Sequence, residues 1–114
     1  MKALKDLINE AAYDSIILQD FRKEMLSDKV LMSKLNDLGI DDIRLSYSKD
    51  ALILDGSSKL VRRSYYWSED LPKEFIDMFL KYKNIVKKKN SEAILWMRAG
   101  RDTSNTILIG IDEE

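Results

Sequence analysis

The chain has 114 residues, a formal net charge of −1, and no cysteine or histidine. It therefore has no disulfide, no thiolate metal site, no cysteine nucleophile and no histidine base, which excludes serine–histidine and cysteine–histidine hydrolase mechanisms. The length predicts one domain, residues 1–114, and the composition (45% hydrophobic, 34% charged) is typical of a folded protein.

The first forty residues predict two helices. From Ala3 to about Met25 the apolar residues recur at helical spacing. Ser27 or Asp28 provides a side-chain oxygen that can cap a second helix. The apolar side of that helix is made of Leu31, Leu35 and Leu38. Gly39 is expected to close it, because glycine adopts the left-handed backbone common after a C-cap.

The next segment predicts an antiparallel meander of three strands. Residues 43–47 alternate, which places Ile43, Leu45 and Tyr47 on one inward side. Residues 51–54 are a short apolar run that follows a turn at 48–50. Residues 60–67 are interpreted as the third strand, after a second turn at 55–58.

A third helix and a closing hairpin are predicted after the meander. Residues 68–72 carry capping residues, acids and a proline, which favour a helix start. An apolar stripe runs from Phe75 to Val86, and Asn90 is the predicted stop. Residues 93–98 and 106–111 predict an antiparallel pair. The order ααβββαββ favours an α+β fold with a single, largely antiparallel sheet covered by helices.

The N-terminal residues do not resemble a targeting segment. They are amphipathic and carry acids throughout, unlike the apolar core of a secretory signal. No stretch approaches the roughly 18 apolar residues that a membrane helix needs. We expect a cytoplasmic protein with no membrane partner.

Charge and aromatic residues are distributed unevenly along the chain. The net charge is −3 over residues 1–58, +6 over residues 59–101 and −4 over the remainder. Seven of the ten aromatic residues also lie in 59–101. This asymmetry marks residues 59–101 as a candidate interaction segment.

Two binding hypotheses arise from this segment. Tyrosine, tryptophan and arginine are enriched at the energetic centres of protein interfaces, which predicts a protein-contact face made of Arg62, Arg63, Tyr65, Tyr66, Trp67 and Arg101. Alternatively, bases of single-stranded nucleic acid stack on aromatic rings while cations contact phosphate, through Arg62, Arg63, Tyr66, Lys81, Lys87, Lys88 and Lys89. The plainer interpretation is that Phe75, Phe79 and Trp96 are core residues and that the lysines form a solvated helix end.

Other candidate chemistry is weaker. The adjacent acids at 41–42, 69–70 and 113–114 fit turns and caps better than a metal site or an acid–base pair. The glycine loops 56–59 and 100–105 lack the strand-to-helix context of a phosphate loop, although the second is long enough to contact a partner. We expect no catalytic residue, metal or cofactor. An enzyme using carboxylates, tyrosine or lysine is a third hypothesis.

The leading hypothesis is a small, non-enzymatic intracellular protein that binds and occludes or holds a protein partner, as an inhibitor, immunity protein, adaptor or chaperone does. The alternative is a single-stranded nucleic-acid-binding protein. Monomer and homodimer both stay open, because the sequence does not identify the strand at the sheet edge. The element order is similar to that of type III secretion chaperones, without their closing helix, and this similarity is one of element order alone. Small cysteine-free domains are also common among phage and mobile-element products.

Overall fold

The computed structural model describes residues 4–56, 71–99 and 107–113, which contain three helices and four strands. In chain order these are α1 (Leu4–Ser27), α2 (Lys29–Asp37), β1 (Asp42–Leu45), β2 (Ala51–Asp55), α3 (Lys73–Lys89), β3 (Ala93–Ala99) and β4 (Ile107–Glu113). The predicted α+β class is confirmed, with every strand pairing antiparallel. The strand predicted over 60–67 lies outside the described residues.

The sheet has the strand order β1-β2-β4-β3. Strand β2 pairs with β1 on one side and with β4 on the other over Ala51–Leu54. The predicted meander is wrong. It requires the strand that follows β2 in the chain to pair with β2, but β4 occupies that edge of β2. Apolar burial accounts for the observed order: Ile107 and Ile109 of β4 are fully buried in register with Leu54 and Leu52.

Helices cover one face of this sheet, which we call the covered face. Helix α1 packs on β1 and β2, and α3 packs on β3. The buried strand residues on this face are Ile43, Leu52, Leu54, Ala93, Leu95, Ile107 and Ile109. Ile111 lies two residues beyond Ile109, so it shares this face, and it packs against the same core. The predicted packing of helices on a sheet is therefore present on this face.

The two long helices meet at Phe21, which is fully buried. Its ring stacks on Tyr82 of α3 at a centroid distance of 4.7 Å and lies 6.4 Å from the ring of Phe75. Burying a phenylalanine side chain contributes roughly 1.5–3 kcal/mol, and an aromatic pair adds about 1 kcal/mol. Glu24 pairs with Lys81, and Lys89 lies over the ring of Tyr13, so the two helices run antiparallel.

The predicted limits of α2 are confirmed. Asp28 is the only residue between α1 and α2, and its side chain accepts a hydrogen bond of 3.0 Å from the backbone N–H of Leu31. At the other end Gly39 has φ = 90°, and the N–H of Ile40 donates to the carbonyl of Leu35. This is a Schellman arrangement, and its apolar pair, Leu35 and Ile40, is fully buried.

The β1–β2 turn begins earlier than the alternating pattern predicts. Strand β1 ends at Leu45, and Tyr47 is fully exposed in the turn rather than inward-facing. The hydroxyls of Ser46 and Ser48 donate to the carboxylate of Asp50, and they lower its pKa. Lys49 adopts φ = 61°. Local hydrogen bonds of this kind favour a turn over a longer strand.

Substitutions at Gly39 and Lys49 are expected to change stability in opposite directions. Gly39→Ala places a side chain in the left-handed region and should lower the free energy of unfolding by about 1 kcal/mol. Lys49→Gly removes the same penalty at an exposed turn and should raise the free energy of unfolding. The gain should be only about 0.5 kcal/mol, because glycine loses more entropy on folding and this offsets part of it. Urea unfolding followed by circular dichroism measures both. An equal response of the two variants would contradict this assignment.

Candidate interaction surface

The face of the sheet opposite α1 and α3, which we call the open face, carries the side chains that alternate with the core. In β3 the buried Ala93 and Leu95 alternate with Ile94, Trp96 and Arg98. In β4 the alternates of the buried isoleucines are Leu108, Gly110 and Asp112. Since successive strand residues point to opposite faces, these alternates all lie on the open face.

Strand register arranges the open-face residues in rows across the sheet. One row runs Arg44, Ile53, Leu108, Arg98, so that an arginine on each outer strand flanks two aliphatic residues on the inner strands. Ile53 and Leu108 are half-buried, whereas both arginines are exposed. The next row runs Ala51, Gly110, Trp96. The open face therefore has an apolar centre with one arginine on each outer strand.

Trp96 lies flat over Gly110. A side chain built on Gly110 would collide with the indole, with its Cβ 2.7 Å from Trp96 Cε2, so glycine makes the space that the ring occupies. The guanidinium of Arg98 lies 4.6 Å from the centre of the Trp96 ring, within cation–π distance. A depression of about 360 Å³ follows β3 beside this pair, and Ile94, Met97 and Asp112 line the rest of it.

The arginine at the opposite edge is held by acids. Arg44 donates to the carboxylates of Asp42 and Asp55, the second at 3.2 Å, and these hydrogen bonds raise its pKa. The arginine therefore keeps its charge, while the local field is largely neutralised. Arg98, in contrast, contacts the π system of Trp96.

The lysines predicted to contact nucleic acid lie on α3, on the other side of the sheet from Trp96. Lys81 donates to the carboxylate of Glu24 on α1, and Lys89 lies 4.9 Å from the centre of the Tyr13 ring. Lys87 and Lys88 are exposed. The lysines therefore do not form one surface with the Trp96–Arg98 pair.

The remaining predicted contacts, Arg62, Arg63, Tyr65, Tyr66, Trp67 and Arg101, lie outside the described residues. The interpretation of Trp96 as a core residue is wrong, because its side chain is on the open face. The sequence contained a signal for this: Arg98 is unsuited to burial, and a residue two positions away in a strand shares its face. Ile53 and Leu108 were not predicted from the sequence to be surface-contact residues.

A second concave region lies on the helical side, at the junction of α1, α2 and α3. This groove of about 760 Å³ is lined partly by Glu24, Asp28, Glu74 and Asp77. Most of these acids have local roles: Glu24 pairs with Lys81, Asp28 caps α2, and Lys34 pairs with Glu74 and lowers its pKa. The ion pairs on this side are solvent-exposed and are worth little stability individually.

In residues 4–56, 71–99 and 107–113, no group of three acidic side chains is placed to hold a metal ion. No helix there combines the length and apolar character needed to cross a bilayer.

Comparisons with known proteins yield no relative: no family model, curated protein or solved structure matches this chain.

Tyr82 is expected to make stability fall at high pH. Burial, together with the charges of Glu24 and Asp20, raises the pKa of Tyr82 from 10.0 to about 12. Below pH 10 the folded and unfolded chains both keep this proton. Between pH 10 and 12 the unfolded chain loses it first, so about 2 kcal/mol of stability is lost across this window.

The difference in urea-unfolding free energy between wild type and Tyr82→Phe isolates this contribution. The phenylalanine variant should retain the stability that wild type loses above pH 10. Tyr47→Phe, at a fully exposed tyrosine, is the matched control and should follow wild type. Parallel pH curves for wild type and Tyr82→Phe would contradict the assignment.

The close fit of Trp96 over Gly110 predicts a context-dependent cost for Gly110→Ala. In wild type the added methyl displaces the indole and should lower the free energy of unfolding by about 1–3 kcal/mol. In a Trp96→Ala background the same change should cost little, because no ring needs to move. A double-mutant cycle by chemical denaturation measures this difference. Equal costs in both backgrounds would show that the indole does not occupy this position.

Proposed function

We propose that this chain is a non-enzymatic binding protein that holds a protein partner against the open face of its sheet. The non-enzymatic part of the proposal rests on the sequence, which lacks histidine, cysteine and any cofactor motif. The absence of cysteine also fits a reducing compartment, and we place the protein in the cytoplasm on that basis.

The observation that carries the proposal is the composition of the open face. Ile53 and Leu108 form an aliphatic centre, and Trp96 with Arg98 adds an aromatic–arginine pair beside it. Protein interfaces typically combine an apolar centre with a polar rim, and tryptophan and arginine are prominent among their energetic hot spots. A purely structural sheet face exposed to water would instead favour threonine and charged residues at its centre.

The nucleic-acid alternative has less support on the described residues. It needs cations and aromatic rings on one surface, since phosphate and base contacts are made together. Lys81 and Lys89 are engaged with Glu24 and Tyr13, and they lie on the helical side of the sheet. On the open face Arg44 is paired with two acids. The Trp96–Arg98 pair is the one described feature that favours the alternative.

We expect the double variant Ile53→Thr/Leu108→Thr to lose partner binding by at least about tenfold, because it removes the apolar centre but keeps residues that suit strands. Ile16→Thr is the matched control: Ile16 is 53% exposed on α1, on the helical side of the sheet. Immobilised wild type and both variants are used to capture proteins from the native host. Affinities for each captured protein are then measured by calorimetry.

A partner retained by wild type and Ile16→Thr but lost by the double variant would support the proposal. If the double variant captures the same partners as wild type, the proposal is contradicted. Thermal unfolding must show that all three proteins are folded. Fluorescence anisotropy with labelled single-stranded DNA and RNA is the parallel test. Binding that weakens steeply with salt and disappears in Arg62→Ala/Arg63→Ala would favour the nucleic-acid function instead.

A further inference from the structure

The two outer strands of the sheet differ in how well their free edges are protected. Strand β1 has four residues, and two of them, Asp42 and Arg44, are charged and paired with each other. Strand β3 has seven residues with one charge, Arg98. Within the described residues β3 pairs with β4 alone. A long outer strand with little charge is suited to pairing with another strand, whereas short, charged strands resist it.

We propose that β3 pairs antiparallel with β3 of a second copy of this chain, across a two-fold axis at Trp96. Trp96 is the middle residue of Ala93–Ala99, so this register gives the longest overlap of the two strands. Two four-stranded sheets become one continuous sheet. A two-fold axis makes the contact self-complementary and closed, which gives a dimer rather than a fibre.

The proposed register is compatible with both faces of the sheet. On the covered face, Leu95 of each copy lies opposite Met97 of the other, so the apolar layer continues across the seam. On the open face, Ile94 of each copy lies opposite Arg98 of the other. No pair of like charges faces across the seam, and directly opposed like charges are what would destabilise such a pairing.

The helical layer provides a second, independent observation at this seam. Tyr82 faces α1 through its stack on Phe21. Leu80 lies two residues earlier and therefore about 160° away around α3, on the side opposite α1. Since α1 covers β1 and β2 while α3 covers β3, this side is the one nearer the β3 edge. Leu80 is 48% exposed there, and in the dimer it would be shielded by α3 of the second copy.

The decisive experiment is a pair of charge substitutions at Ile94, measured by sedimentation velocity from low micromolar to submillimolar protein. Ile94→Glu places an acid opposite Arg98 of the second copy and should tighten the dimer about 2- to 30-fold, because two such pairs form per dimer. Ile94→Lys should weaken it by a similar factor. The double variant Ile94→Lys/Arg98→Glu again places opposite charges across the seam, so it should restore dimerisation.

An effect on monomer stability cannot imitate this result. Within one chain Ile94 lies in register with Asp112, so Ile94→Lys favours the folded monomer and Ile94→Glu disfavours it. The order expected for stability is therefore the reverse of the order expected for dimerisation. Thermal unfolding at low concentration measures the first, and sedimentation measures the second.

Amide hydrogen exchange identifies the strand involved. Amides of β3 should become more protected as concentration rises, whereas amides of β1 should not. Wild type that stays monomeric at every concentration would overturn the proposal. A dimer that ignores the charge at position 94, or that leaves β3 exchange unchanged, would also overturn it, since association would then occur elsewhere. The partner-capture test on Ile53 and Leu108 concerns the middle of the open face, so the two proposals can fail separately.

Discussion

The packing of Phe21 between Tyr82 and Phe75 is the contact on which the arrangement of the described residues depends. It joins α1, which packs on β1 and β2, to α3, which packs on β3. Replacing a buried phenylalanine by alanine typically costs about 3–5 kcal/mol, a large fraction of the stability of a small domain. This contact holds both helices on the covered face of the sheet. Ile53, Leu108 and Trp96 lie on the open face.

The local structure of the described residues was largely predictable from the sequence, because its determinants are close together in the chain. The Asp28 cap, the glycine closure at Gly39 and the end of α3 at Asn90 all depend on residues within one helical turn. Alternating or continuous short apolar segments located β1, β2, β3 and β4. The local prediction that failed was the inward position of Tyr47. Hydrogen bonds from two serine hydroxyls to Asp50 stabilise a turn that begins before this residue.

The long-range structure and the candidate surface were less predictable. Whether β2 pairs with the next segment or with β4 depends on burial summed over the whole core, which no local pattern contains. Lys81 and Lys89 looked like free cations because the residues they contact, Glu24 and Tyr13, lie on a helix distant in sequence. Trp96 was judged by its hydrophobicity rather than by its neighbour Arg98. In each case the missing information was a contact between residues far apart in sequence.

The order of the strands also has a consequence for the speed of folding. The β1–β2 and β3–β4 pairs join strands that are consecutive in the described structure, and short segments close quickly. The β2–β4 pair joins Leu54 to Ile107, and closing so long a segment costs chain entropy before any burial compensates for it. The sheet therefore has two quickly formed halves and one slow junction. Leu52 and Ile109, which face each other at that junction, are the positions where packing is expected to govern the folding rate rather than the unfolding rate.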